Sequence, residues 1–384
     1  MRYRGPSVRV LFFNEGNLGG YIMGQAQVQT AISAGLAQAP DIDARFATLS
    51  PMGRLANAVA VRRIEPLASR HLDFDTLRWH LVQSQRARGR LNSELRQWPA
   101  DVVHLHTQSV ALTMKATMRS VPVVLSMDAT TEDWQSMPAW ALDDRASSIA
   151  RAPVRALERR AMRNAALILA WTPWAQRGVE RDAPEARVVE HHPGLDLDRF
   201  VLAPKRERTR PRVLFVGGRF VEKGGEDLLV ALGERLGRDV DLDLVTPTPV
   251  AERPGVQVHR LQTSDPRLLD LYQQADLLAL PTYGDATPWV VLEAMACGTA
   301  VLSTPLGGIP DMLEDGRAGA LVSYGDVRAL RDALEGLLAN PELLASLGAR
   351  ARERCETHYD ARKQFVRLTE HLREARSRFA AHRG

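Results

Sequence analysis

Two carboxylates eight residues apart, Asp285 and Glu293, bracket the stretch of this 384-residue chain best suited to chemistry. They lie within residues 277–305, LLALPTYGDATPWVVLEAMACGTAVLSTP, which reads as strand, loop, helix and strand. Residues 277–281 form a short continuous apolar run, the pattern of a strand covered on both faces. Gly284, Asp285 and Thr287 mark a turn-rich loop. Thr287 stands where an N-cap is expected, and Pro288 stands at the first helical position, where its missing N–H costs nothing. The helix is predicted from 289 to about 297, ending at Gly298 as a left-handed cap. Residues 299–303 then close a right-handed βαβ unit. A loop at the carboxyl end of such a strand is where open α/β sheets take ligands, and the amides opening the helix favour anions.

The other reactive residue types are less organised. Gly16, Gly19 and Gly20 follow a predicted first strand at 7–13 and permit close backbone approach to a ligand. A tight strand-to-helix turn explains them equally well. No G-x-G-x-x-G fingerprint or G-K-[ST] phosphate loop occurs. His104 and His106 alternate along a strand read at 101–106, and with His191 and His192 they make no metal-ligand set. A satisfied core histidine is the plainer reading for one of them. Cys297 and Cys355 give no disulfide framework and fit a reducing cytosol, with Cys297 acting as a small hydrophobe.

These residues need a scaffold of more than one core. The length suggests two domains of roughly 150–200 residues. A 45% hydrophobic and 25% charged composition is ordinary for globular chains. The net charge of +4 comes almost wholly from arginine, the only lysines being Lys115, Lys205, Lys223 and Lys363. No apolar run is long enough to cross a bilayer, and the run near the start is too short for a signal peptide. A soluble, cytoplasmic protein is expected.

Strands are predicted at 101–106, 121–126 and 165–171, a charged helix at 151–164, and a turn-rich stretch at 188–200. Residues 62–98 are Arg-dense, with Leu72, Phe74, Leu77, Trp79, Leu81 and Val82 between. They read as one or two helices with a basic face, simply solvated in the plainer reading, or else binding the acceptor or in peripheral contact with the cytoplasmic face of a membrane. No nucleic-acid-binding module accompanies the charge. The segment 203–212, APKRERTRPR, is the best linker. Beyond it βα alternation restarts at 213–216, and a last helix from about 361 carries Phe365, Leu368, Leu372 and Phe379 on one stripe.

Five motifs in order, DVVHLH, PVVLSMD, HPGLDLDRF, VLFVGGRFVEKGG and PTYGDATPWVVLEAMACGTAVLSTPLGGIPDML, resemble the retaining glycosyltransferases of the GT-B fold known as family 4, or group 1. The resemblance runs over nearly the whole length. It implies an α/β fold of two Rossmann-like, doubly wound domains facing across a cleft. Residues 1–203 would form the acceptor-side domain, 204–360 the nucleotide-sugar domain, and 361–384 a C-terminal helix packing toward the first. The implied reaction moves a sugar from a nucleoside-diphosphate sugar, UDP- or GDP-linked, to a hydroxyl acceptor that is a glycan, a lipid-linked molecule or a small molecule, as in cell-envelope or glycan biosynthesis. No other cofactor and no metal are implied.

The resemblance also gives roles. Arg219 and Lys223 match the pair that holds the diphosphate. They stand four apart across a Gly-rich turn, so both can converge on one anion whose charge grows as the bond breaks. Glu293 matches the acid on the ribose hydroxyls, since a carboxylate's two acceptor oxygens suit a vicinal diol. Asp285 matches the acid near the transferred sugar, although the family's usual residue is Glu. Gly19, Gly20, Gly218, Thr287, Pro288 and Trp289 complete the implied donor contacts. The Ala-Thr-Pro-Trp run departs from the family's Gly-Phe-Gly. Pro288 lacks a donor the ligand could use, and Trp289 reads as a core anchor. Asp128 stands where many relatives have His. It could orient a hydroxyl, act as a general base or cap its loop. Catalytic roles are thus expected of Asp128, Arg219, Lys223 and Asp285. The literal Asp-x-Asp at 196–198 belongs to a turn and is discounted as a metal ligand. The alternatives are a same-fold epimerase or phosphorylase, or a degenerate protein that binds sugar nucleotide without turnover.

Overall fold

The computed structural model describes residues 7–15, 32, 35–36, 39–62, 64–68, 74–141 and 145–381. Gly16, Gly19, Gly20 and most of the helix expected after them lie outside the described residues. The chain divides into two compact units. One comprises Met1–Ser136, Trp140–Pro193 and Arg362–Gly384; the other comprises Met137–Ala139 and Gly194–Ala361.

The first unit is built on six parallel strands: β1 (Val8–Asn14), β2 (Ile42–Thr48), β3 (Val102–His106), β4 (Val123–Met127), β5 (Leu167–Ala170) and β6 (Val188–Glu190). Their order is β2-β1-β3-β4-β5-β6. Every residue of β3, β4 and β5 is buried, because helices cover both faces of a parallel sheet. On one face lie α1 (Asp75–Gln97), α3 (Arg145–Asn164) and α4 (Pro173–Asp182), through Ala87, Leu91, Met162 and Val179. The short α2 (Thr131–Ser136) follows β4. On the other face, Phe365, Leu368, Leu372 and Ala375 of the C-terminal helix Ala361–Ala381 share a core with Val10, Phe12, Val124 and Leu169.

The second unit repeats the plan with β7 (Arg212–Val216), β8 (Asp241–Val245), β9 (Val256–His259), β10 (Leu277–Leu280), β11 (Ala300–Ser303) and β12 (Ala320–Leu321). The order is β12-β11-β10-β7-β8-β9, again all parallel. Its helices include α5 (Gly225–Leu232), α6 (Pro266–Gln274), α7 (Trp289–Ala296), α8 (Val327–Leu338) and α9 (Pro341–Arg354). The segment 203–211 has no regular structure, but its basic side chains make it a strap rather than a free linker. Lys205 pairs with Asp276 at 3.1 Å, Arg206 with Asp270 at 2.7 Å and Arg210 with Asp241 at 3.1 Å.

Several expectations need correction. The stretch at 188–200 begins with the edge strand β6 rather than being all turn, and α3 starts at Arg145, ahead of 151. The strand β2, IDARFAT, carries one buried residue at the sheet edge, so its apolar signal is weak. The short, polar α4 was not predicted, although Thr-Pro marks its start: Thr172 Oγ1 accepts from Ala175 N at 3.1 Å, with Pro173 opening the helix.

Candidate active site

In the second unit, the loop leaving β7 folds into a compact turn. Lys223 N donates to Arg219 O at 2.9 Å and Gly225 N to Phe220 O at 2.8 Å. Gly224 has φ +75°, and a Cβ there would run into the Pro281 carbonyl that follows β10. Only glycine meets both demands. The loop after β10 returns the contact, with Tyr283 N donating to Glu222 O at 2.9 Å. The two loops therefore grip each other, and the grip sets Lys223. Its Nζ donates to Gly284 O at 3.0 Å and to the Asp285 carboxylate. Both side chains are less than one-fifth exposed, at 19% and 17%. Arg219, about a third exposed, lies 3.7 Å from Glu222. A Cβ at Gly218 would meet nothing within 4 Å, so the backbone there is open to a ligand.

The Asp285 loop is braced from the next strand as well. Gly308 N donates to Ala286 O at 2.7 Å, and Gly307 has φ +59° with the Asp285 carbonyl where a Cβ would stand. The helix α7 starts at Trp289 as expected, but its cap falls one residue later. Pro288, not Thr287, is its N-cap, without any side-chain cap bond, because proline's extended conformation (ψ 114°) fits the position outside the helix. Thr287 is consequently buried at 4% exposure with Oγ1 unpartnered. Gly298 takes the left-handed conformation expected at the helix end, φ +70°. Trp289 packs half-buried on the core, in keeping with an anchor.

Glu293 is carried by α7. It is 1% exposed, and its Oε2 accepts from Tyr272 OH of α6 at 2.6 Å. Burial, then the nearby Glu293 charge, pushes the Tyr272 hydroxyl far up its scale and the Cys297 thiol to about 12. Tyr283 OH donates to Asp227 at 2.6 Å, and this bond, helped by desolvation, takes the phenol to about 12. Neither tyrosine was singled out from sequence: Tyr272 lies in an apolar period and reads as core, and the partner of the loop residue Tyr283 is 56 residues away.

In the first unit, Asp128 immediately follows β4. The residues after it are held from two sides: Gln108 Nε2 donates to Ala129 O at 2.8 Å, and Thr131 N donates to both oxygens of Glu158 at 3.0 Å. Glu158 is 1% exposed on α3. Burial drives its carboxyl up to about 7, against the lowering effect of the Thr131 and Gln108 bonds. His104 and His106 are buried and held neutral, to about 3 and about 4, desolvation dominating in each. His106 stacks on Trp171 with centroids 5.0 Å apart and planes 7° apart. Asp196 Oδ1 accepts from Asp198 N at 3.0 Å, which makes the Asp-x-Asp a turn device.

The chain matches the model described as Glycosyltransferase Family 4 over residues 22–199 and that of Glycosyl transferases group 1 over 210–340. It belongs to the family 4, group 1 glycosyltransferases. It is 30% identical over 230 residues to the D-inositol 3-phosphate glycosyltransferase of Corynebacterium diphtheriae, covering 52% of this chain and 54% of that one. The chain thus spans about half the length of the curated relatives it matches. By fold it is similar to the sucrose-phosphate synthase of Thermosynechococcus elongatus, with TM-score 0.74, 17% identity and coverage of 97% of this chain and 100% of that one. It is also similar to Anabaena HepE in complex with UDP-glucose, with TM-score 0.63, 16% identity and coverage of 95% and 99%. The two parallel sheets are the α/β plan of these GT-B glycosyltransferases.

Set against the family's pattern, the structure brings Lys223 onto Asp285 and places Arg219 one helical turn before Lys223. Glu293 is buried on α7, Asp128 stands in the other unit, and Gly19 and Gly20 are outside the described residues.

Proposed function

We propose that this chain is a retaining glycosyltransferase that moves a sugar from a nucleoside-diphosphate sugar, UDP- or GDP-linked, to a hydroxyl acceptor without a metal ion. The observation that carries the reading is Lys223, fixed by two interlocking loops at the carboxyl edge of the second sheet, with Arg219 beside it. In the reaction the bond between the anomeric carbon and the β-phosphate oxygen breaks, and its electron pair stays on that oxygen. The acceptor oxygen bonds the same carbon from the same face, and its proton passes to the departing phosphate. Lys223 and Arg219 are prearranged positive charge for that phosphate, and a fixed charge needs no reorganisation at the moment of reaction.

In this scheme the Lys223–Asp285 pair is the resting state. An arriving diphosphate shares the ammonium, and Asp285 turns to a hydroxyl of the transferred sugar. Tyr272 orients the Glu293 carboxylate for the ribose diol, and the open backbone at Gly218 lets the phosphates approach. Asp128 orients a reactant hydroxyl. The UDP-glucose complex of HepE supports this donor class, and the name of the inositol phosphate relative makes D-inositol 3-phosphate the first acceptor to try. Peripheral membrane contact is assigned to the exposed Leu55, Val59 and Val61 next to the Arg-rich segment, and co-sedimentation with anionic vesicles tests it.

The test of the main reading is a thermal-shift panel of UDP-, GDP-, ADP- and TDP-sugars, followed by NMR of the product. A donor at 100 times its dissociation constant adds about 2.7 kcal/mol of stability. Transfer with the anomeric configuration preserved is expected. An inverted product, or donor binding that survives Lys223→Ala and Arg219→Ala together, sinks it.

A further inference from the structure

The strand β4 delivers Asp128 to the sheet edge, but nothing in β4 fixes the chain beyond it. What does is a buried polar clamp that the reaction scheme does not use. Glu158, reaching from α3, takes Thr131 N–H on both carboxylate oxygens at 3.0 Å. Gln108, from the turn after β3, donates to Ala129 O at 2.8 Å. On either side of Thr131 the chain is pinned again: Thr130 N donates to Asp133 Oδ2 at 3.0 Å, and Arg181 of α4 donates to Asp133 Oδ1 at 2.9 Å and to Thr130 Oγ1 at 3.2 Å. Gly178 makes room for this, since a Cβ there would strike the Asp133 carboxylate.

Burying a carboxylate to 1% exposure is costly unless its bonds repay it, and here the bonds go almost wholly to one loop. A hydrophobic residue at 158 would pack α3 on the sheet at less cost. A carboxylate at that depth is understandable if what it holds must not move.

Resting on the glycosyltransferase reading above, we propose that Glu158 and Gln108 are positioning residues that hold Asp128 in its working place by fixing the backbone at Thr131 and Ala129. Asp128 is the group that meets the substrate, and Glu158 acts only through it.

The test is a double-mutant cycle read on kcat. Glu158→Ala and Gln108→Leu are each expected to lower kcat about 10- to 100-fold, the scale of an ångström-sized misplacement, with donor KM unchanged. Glu158→Gln, which keeps one acceptor oxygen, should recover part of the loss. In an Asp128→Ala background both effects should disappear. Effects that persist undiminished in that background, or a rise in donor KM that matches the fall in kcat, overturn the proposal. Because Glu158→Ala threatens folding, crystal structures of Glu158→Gln and Gln108→Leu supply a second reading. Asp128 unmoved in both overturns the proposal whether or not the protein transfers sugar. Absence of transfer by the wild type, with Asp128 displaced in the variants, removes the glycosyltransferase reading and leaves the clamp standing.

Discussion

At the carboxyl edge of the second sheet, the candidate groups are charged and partly open to water: Lys223 at 19%, Asp285 at 17% and Arg219 at 32% exposure. At the same edge of the first sheet, beside the Arg181–Asp133 ion pair, three titratable groups are buried and pushed toward neutrality. His104 and His106 are driven down to about 3 and about 4 and Glu158 up to about 7, desolvation leading each time. The two sheets share one topology, so strand order does not cause the difference. It follows from where the loops put their side chains. Interlocked glycine turns hold a cation at the surface in one unit, whereas in the other the polar groups are drawn under the helices. A departing diphosphate requires fixed opposite charge, and an alcohol oxygen requires only a well-placed neutral or singly charged partner. On the proposed reading, the charged edge of the second sheet would serve the leaving group and the less charged edge of the first would serve the acceptor.

The hardest blow to that contrast is loss of its cation. Lys223→Ala is expected to lower turnover about 10²- to 10³-fold, the usual cost of removing one preorganised group from a charge-developing site. Lys223→Arg should not restore it fully, since a planar guanidinium cannot occupy the place of a compact ammonium between Gly284 O and Asp285. Release of nucleoside diphosphate, followed by a coupled assay, measures both. Near-normal turnover in Lys223→Ala would end the claim that the second edge stabilises the leaving group.

The grip between loops can be separated from the ligand they serve. Gly224→Ala places a methyl against the Pro281 carbonyl at φ +75° and should cost about 2–3 kcal/mol, from left-handed strain plus the clash. Gly218→Ala meets no protein atom within 4 Å and should leave the melting temperature unchanged while weakening donor binding. Calorimetry for stability and titration with donor for affinity check the pair. Equal melting losses in both variants would mean that the open backbone at Gly218 is structural.

Much of this was readable in the sequence. Continuous apolar runs gave β3, β4 and β10, and Gly298 announced the end of α7. The charged pair at 219 and 223 was visible through its glycine frame. The Lys223–Asp285 contact was not, because 62 residues separate its partners and only the paired loops of adjacent strands bring them together. Glu158 was invisible for another reason. In a helix as charged as α3, one acid among many arginines reads as surface, and its burial is decided by the tertiary packing of α1 and α2 around it. Thr287 was misplaced by one position because the capping signature Thr-Pro fits either residue as cap, and the choice fell to the bracing of Ala286 by Gly308.

Acid should separate the two units. A histidine whose folded value lies below 6.5 is protonated first in the unfolded chain, so its effect is absent above pH 6.5 and grows as pH falls toward its folded value. At pH 5, His104 and His106 each cost about 2 kcal/mol of folding stability, one pKa unit being worth about 1.4 kcal/mol. Glu158 works in the opposite direction. Its raised carboxyl disfavours the folded state increasingly as pH rises from 4.5 to about 7, which partly offsets the histidines. The second unit has no buried histidine among the described residues. Hydrogen exchange at pH 7 and pH 5 should therefore show β3 and β4 losing protection before β10 and β11, more steeply in Glu158→Gln. Parallel loss in both sheets would remove the electrostatic distinction between the units.

The smallest effect concerns a group at the charged edge that is buried like those of the other. Thr287 Oγ1 is buried and unpartnered at the start of α7, so in the free protein it is a liability of about 1 kcal/mol. Thr287→Val keeps the shape and removes the hydroxyl, and it should raise the melting temperature by a few degrees at most. If the hydroxyl is retained for a donor oxygen, the same variant should bind UDP-sugar several-fold more weakly, because a neutral hydrogen bond is worth about 0.5–1.5 kcal/mol. Serine should restore the affinity without restoring the packing. A valine variant that is more stable and binds donor as well as the wild type would show that Thr287 is a packing residue whose hydroxyl serves nothing, and would return the edge of the second sheet to its charged groups alone.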